Sequence, residues 1–169
     1  MSGKREERQQ QRWREALERA LAHPEGGDAS LFLRDHPDLV RGLAESIEAS
    51  GLAEACQALA RHMEEDRDLW LRRLQRIEAT PALRARRAEL DLDYLELFAG
   101  HFRRWGAAGS QGERIAELEA CLLLAALRGA ERLWVKGGGR PVLPVLVQEA
   151  LALLWPALYG HARRHLPKN

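Results

Sequence analysis

Apolar residues recur along this chain at three- and four-residue intervals and hardly ever alternate, so the pattern predicts helices throughout. The longest such stretch, residues 113–135, carries Ile115, Leu118, Leu122, Ala125, Gly129 and Leu133 on one side. Leu123, Leu127, Ala130 and Trp134 fall on the next side. A helix apolar over so much of its girth needs cover on more than one side, from its own domain or from a partner as well. Gly137, Gly138 and Gly139 stop it, and residues 143–158 form a second, still more apolar helix.

The rest of the chain reads as shorter helices leading up to this hairpin. Residues 5–22 form a charged helix with a thin stripe of Trp13, Leu17, Ala20 and Leu21, and residues 23–28 a loop. Leu31, Phe32 and Leu33 make a short apolar patch before a start signal in which Asp35 caps and Pro37 suits the first turn. Leu39, Val40, Leu43 and Ile47 give that helix its face, and Ser50-Gly51 breaks it. Leu52, Cys56, Leu59, Ala60 and Met63 mark the next helix; Leu69, Trp70, Leu71, Leu74 and Ile77 mark another, ending near Ala79. Thr80-Pro81 starts a long helix to Trp105, with Leu90, Tyr94, Leu97, Phe98, His101, Phe102 and Trp105 on its inner face. Residues 106–112 read as a flexible loop. The expected division is an N-terminal helical region over 1–50, a main domain over 51–160 and a basic tail over 161–169.

Composition narrows the classes. A chain of 169 residues holds one domain with a substantial core, and 46% apolar with 30% charged residues is globular rather than disordered. The net charge of +1 demands no polyanionic partner. Cys56 and Cys121 sit mid-helix among apolar neighbours and read as reduced core thiols of a cytoplasmic protein. The charged first residues predict no signal peptide, and no charge-free apolar run reaches the roughly 20 residues of a membrane span. The expected fold class is all-α.

Three kinds of chemistry are open. Trp70, Leu74, Tyr94, Phe98, His101 and Trp105 could line a small-molecule cavity, with Arg128 as counter-charge for an acidic ligand. The same side chains also suit an ordinary aromatic core, with His101 satisfied by a nearby carbonyl. Gly129, beside Ala125, Ala126 and Ala130, makes a flat surface for close approach of another helix, in the same chain or a second copy. The expected dimer face comprises Leu118, Leu122, Ala125, Gly129 and Leu133 with Val147, Leu151 and Leu154. Finally, seven arginines between Arg67 and Arg87 oppose only Asp68 and Glu78, and His161, Arg163, Arg164, His165 and Lys168 form a second basic cluster. Such clusters hold phosphates or simply face solvent, and no clear helix–turn–helix accompanies them.

No catalytic, metal or cofactor pattern emerges, and an enzyme is not expected. His161 and His165 lie in the tail with no carboxylate between them, and the glycine triplet lacks the Lys-Ser/Thr of a phosphate loop. Asp91 and Asp93 point about 200° apart on a helix.

The order of these segments resembles the C-terminal domain of TetR-family transcriptional regulators. The likeness runs over residues 52–158, and its most specific parts are the phrase from Thr80 to Arg86 (TPALRAR) and the ending from Leu133-Trp134 through Gly137-Gly-Gly139 to the helix over 143–158. It implies an all-helical homodimer whose last two helices form a bundle with the partner's, a ligand cavity enclosed by the preceding helices, and transcription regulation as the output. Family members begin with a three-helix DNA-binding unit. Here only residues 13–23 match its first helix, residues 31–40 echo its closing turn, and residues 24–30 are too few for two helices. The expectation is a TetR-like regulator that senses a small, largely apolar ligand. The alternative is a non-DNA-binding helical dimer that partners an intact regulator.

Overall fold

The computed structural model describes residues 3–22, 29–106 and 108–160. Among these every element is a helix: α1 (Gly3–Ala22), α2 (Ala29–Phe32), α3 (His36–Ser50), α4 (Leu52–Glu65), α5 (Arg67–Ala79), α6 (Pro81–Trp105), α7 (Ser110–Lys136) and α8 (Leu143–Gly160). The starts and stops follow local chemistry. Pro37 lies in the first turn of α3 and Pro81 in that of α6, where a missing N–H leaves no bond unmade. Gly51 (φ 86°) ends α3, and its N–H reaches the Ile47 carbonyl at 2.9 Å.

α7 packs between α6 and α8, α8 lies also on α4, and α3 covers α4 and α6. α5 rests on α6, while α1 touches the rest chiefly through α2 and α5. One apolar core runs through all of this, from Leu17 and Phe32 to Leu146 and Leu151. Leu43 and Ile47 of α3 belong to that core, so the division expected at residue 50 does not separate two cores. α7 starts at Ser110, inside the expected loop. Gly109 (φ 94°) makes the turn, and Gly112 is buried in the first turns of the helix, where packing overrides its poor propensity.

The α7–α8 turn is tied down from several sides. The Gly139 N–H bonds the Trp134 carbonyl at 2.9 Å and the Gly138 N–H the Val135 carbonyl at 3.1 Å, the paired bonds of a Schellman ending. Gly138 and Gly139 both take positive φ, and a Cβ on Gly139 would meet the side chains of Arg67 and Leu71 at 3.0 and 3.1 Å. Glu64, at the end of α4, accepts the Leu143 N–H at 3.0 Å and pairs with Arg67. Gln57 donates to the Pro144 carbonyl at 3.2 Å. Four helix ends therefore meet at one knot.

Candidate functional site

The seam between α6 and α7 holds four part-buried charges, while Arg73 of α5, paired with Asp35, is the more deeply buried cation. Arg128 donates to Glu131 at 2.7 Å and grips Asp91 with two nitrogens, and Arg87 pairs with the other oxygen of Glu131. Two cations and two anions thus close on each other. Burial pushes the Glu131 carboxyl up, but Arg128 and Arg87 outweigh it and hold the acid below its ordinary value. Burial likewise works against the charge on Arg128, while Glu131 and Asp91 bind its proton more firmly than usual. Arg128 was expected to answer a ligand's acid; its charge is instead spent within the chain. It also lies over the Tyr94 ring, 5.3 Å from the centroid. The spacing offered a signal: Arg87 and Asp91 are i, i+4, Arg128 and Glu131 are i, i+3, and both pairs interrupt apolar helices.

Beside this network lies a hollow of about 30 Å³, lined by Tyr94, Phe98 and Arg128 together with Cys56, Met63 and Leu127. It takes a water or two, against roughly 300 Å³ at the lower end of ligand sites. Three of the seven expected lining residues therefore meet there. Trp70, Leu74, His101 and Trp105 do not line it. Trp70 is buried against Arg73, whose guanidinium carbon lies 4.4 Å from its ring centroid; Leu74 is core; Trp105 is 76% exposed at the end of α6. His101 is half-buried, and burial, with Arg104 beside it, lowers its pKa. The aromatics of α6 fill the interior as far as Phe102, and only Trp105, its last residue, stands in solvent. Asp91 and Asp93 diverge as expected: Asp91 meets Arg128, while Asp93 lies 3.0 Å from a ring nitrogen of buried His36. Fully buried Trp134 keeps an indole N–H with no partner, the only such buried side-chain atom among the described residues.

The outer face of α7 is the opposite case. Leu118, Leu122 and Leu133 are 64%, 48% and 57% exposed, Ala125 is exposed, and Gly129 half-exposed with open space where its Cβ would stand. These five positions form one continuous stripe. On α8, Val145, Leu153 and Trp155 are exposed as well. Val147 and Leu151, expected at the dimer face, point inward instead, where α4 and α7 cover them; Leu154 is half-buried against the core. A helix packed on two neighbours turns its best apolar positions to them first.

The arginine cluster is dispersed. Arg67 pairs with Glu64, Arg73 with Asp35, Arg86 with Glu89 and Arg87 with Glu131, while Arg72 donates to the Asp68 carbonyl at 3.3 Å. α3, which follows the short α2, buries Leu43 and Ile47 against the body and turns Arg41, Glu45 and Glu48 outward. The loop at 23–28 and the basic cluster from His161 to Lys168 lie outside the described residues. Among the described residues no helix is long and apolar enough to cross a membrane, and no group of side chains suits a metal ion.

Comparison with family models, with curated proteins and with solved structures returned no match to this chain.

Proposed function

We propose that this chain is a homodimeric regulatory module of the kind that TetR-family C-terminal domains provide, acting through protein contact rather than by reading DNA itself. One observation carries the reading. The stripe Leu118, Leu122, Ala125, Gly129 and Leu133 lies uncovered along α7, with the apolar residues Val145 and Leu153 of α8 also uncovered. Single exposed leucines are ordinary, but a continuous apolar stripe on a soluble chain marks a contact surface. Gly129 weakens its helix by about 1 kcal/mol relative to alanine. Among the described residues nothing lies close enough to require the missing side chain. A second copy related by a two-fold axis supplies the reason, since two α7 helices approach closest where both present glycine.

Sedimentation velocity tests this. Wild-type protein is expected as a dimer and Gly129→Leu as a folded monomer; a wild-type monomer, or a variant that stays dimeric, removes the reading. For the DNA half, a gel-shift on genomic fragments is expected to show no salt-sensitive retardation. Retardation that weakens with salt restores direct DNA binding.

A second reading, ligand sensing within the body, draws on the hollow beside Tyr94, Phe98 and Arg128. There Met63 and Leu127 are the adaptable walls. Thermal-shift screening with small apolar compounds is expected to find stabilisers that fail on Phe98→Trp; their absence removes it.

A further inference from the structure

Beneath α1 the chain leaves a second, far larger hollow, an open cleft of about 1030 Å³ between α1 and the layer of α3, α4 and α5. Its lining mixes apolar side chains, Leu39, Leu59, Leu69 and Trp70 among them, with about as much polar and charged surface. Small residues make the room. Gly42 and Ser46 of α3 line the cleft together with Ala55 and Ala58 of α4. Gly42 stands mid-helix, where glycine lowers helical stability relative to alanine. Among the described residues a Cβ there meets nothing within 4 Å, so close packing within them does not explain its absence.

The charges on the walls settle what kind of occupant suits the cleft. Asp35 is taken by Arg73, Asp66 by Arg14, and Asp38 by Arg41 at 2.6 Å, so each acid in the cleft already has its cation. Arg34 also lines the cleft, is exposed, and makes no ion pair among the described residues. His62 adds a ring nitrogen at the rim, only loosely placed at 3.7 Å from Glu65. The uncompensated charge is therefore positive, at one edge of the cleft.

The geometry points to this cleft as a binding site for an amphipathic organic anion, one acidic head on Arg34 and an apolar body laid along Leu39, Leu59 and Trp70 between the small residues of α3 and α4. The site lies away from the exposed stripe of α7, and Leu43 and Leu59 form the wall it shares with the small hollow at the α6–α7 seam. Guanidinium suits a carboxylate head because it donates two parallel N–H bonds.

Trp13 and Trp70 both line the cleft and report on it. Titration of the full chain with dodecanoate, below its aggregation threshold, is expected to give a saturable change in tryptophan emission. Dodecanol should bind more weakly and dodecyltrimethylammonium least. Gly42→Phe fills the trough from an open position and is expected to keep the circular dichroism spectrum and melting temperature while losing at least about tenfold in affinity. Arg34→Gln should bring dodecanoate down to the level of dodecanol, and Leu127→Phe, which narrows only the seam hollow, should leave affinity unchanged. The proposal is overturned by no saturable binding to wild type, by equal binding of the cationic analogue, or by a folded Gly42→Phe that binds as well as wild type. Loss in Leu127→Phe with retention in Gly42→Phe also overturns it, because the ligand then sits at the seam.

Discussion

The α6–α7 seam and the α1 flank are built from the same kinds of residue, arginines, carboxylates and large aromatics, to opposite effect. At the seam, Arg87, Asp91, Arg128 and Glu131 meet beside Tyr94 and Phe98, and the space left over is about 30 Å³. On the flank, Trp13 and Trp70 sandwich Arg73, and a cleft of about 1030 Å³ stays open beside them. The difference lies in the neighbours. The seam joins two long helices, about 38 and 40 Å at 1.5 Å per residue, packed along their lengths. The flank joins α1 to the body through a few contacts: Leu17 in the core, the Trp13 indole N–H to the Leu31 carbonyl at 3.0 Å, and the pair of Arg14 with Asp66. Large aromatics do not by themselves make a cavity; small residues along a loosely covered wall leave one.

The sharpest way to break this contrast is to remove one acid from each region. Glu131→Ala leaves two buried guanidinium groups without their shared anion and is expected to lower unfolding free energy by about 3–5 kcal/mol in urea titration. Asp66→Ala removes the partner of a half-exposed arginine, so a loss under about 1 kcal/mol is expected. Equal losses would show that the two regions are not different in kind. Next come the apolar anchors. Phe98→Ala, at a fully buried ring, should lower stability by about 3–5 kcal/mol, whereas Leu17→Ala on α1 should fall near 2 kcal/mol. Its site borders the cleft and water fills the space it leaves.

The third effect follows from pH. Burial raises the Cys56 thiol from 9.0 to about 12 and the Tyr94 hydroxyl from 10.0 to about 12, Arg128 opposing the rise for Tyr94. Both groups hold their protons more tightly folded than unfolded. Their contribution is therefore full below pH 9 and is lost as the pH climbs towards 12, by about 1.4 kcal/mol per pH unit for each group titrating. Unfolding curves at pH 8, 9.5 and 11 check this: Cys56→Ala should delay the onset of the decline, and Tyr94→Phe should flatten its upper part. The smallest effect is a gain. Gly42→Ala is expected to stabilise by about 1 kcal/mol, since its Cβ enters open space in a regular helix. A loss instead would mean that the cleft closes on Gly42 in solution.

Much of the fold is legible from periodicity and punctuation. Thr80-Pro81, Ser50-Gly51 and the glycine triplet place the ends of α6, α3 and α7 within a few residues, because each acts through its own backbone. What periodicity leaves open is which neighbour takes which face. Val147 and Leu151 are as apolar as Leu118 and Leu122, yet among the described residues the first two are covered by α4 and α7 while the second two stay exposed. The same ambiguity misplaced Arg128, whose acids lie 37 residues away on α6 and three residues away on its own helix. The cleft left no mark in any single stretch. It exists only because Gly42 and Ala58, 16 residues apart in sequence, line one trough.

The knot at Gly137–Gly139 has a mechanical consequence. With Arg67 and Leu71 pressed against Gly139 and Glu64 holding both Arg67 and the first amide of α8, the far end of α7 cannot travel along its own axis without dragging α4 and α5. Its near half is held too, since Gly112, Ala116 and Ala120 are buried and α7 lies along α6 and α8. Clamped at one end by α4 and α5 and along its length by its neighbours, α7 moves only with the body, so a partner gripping its outer stripe would turn the domain as one piece.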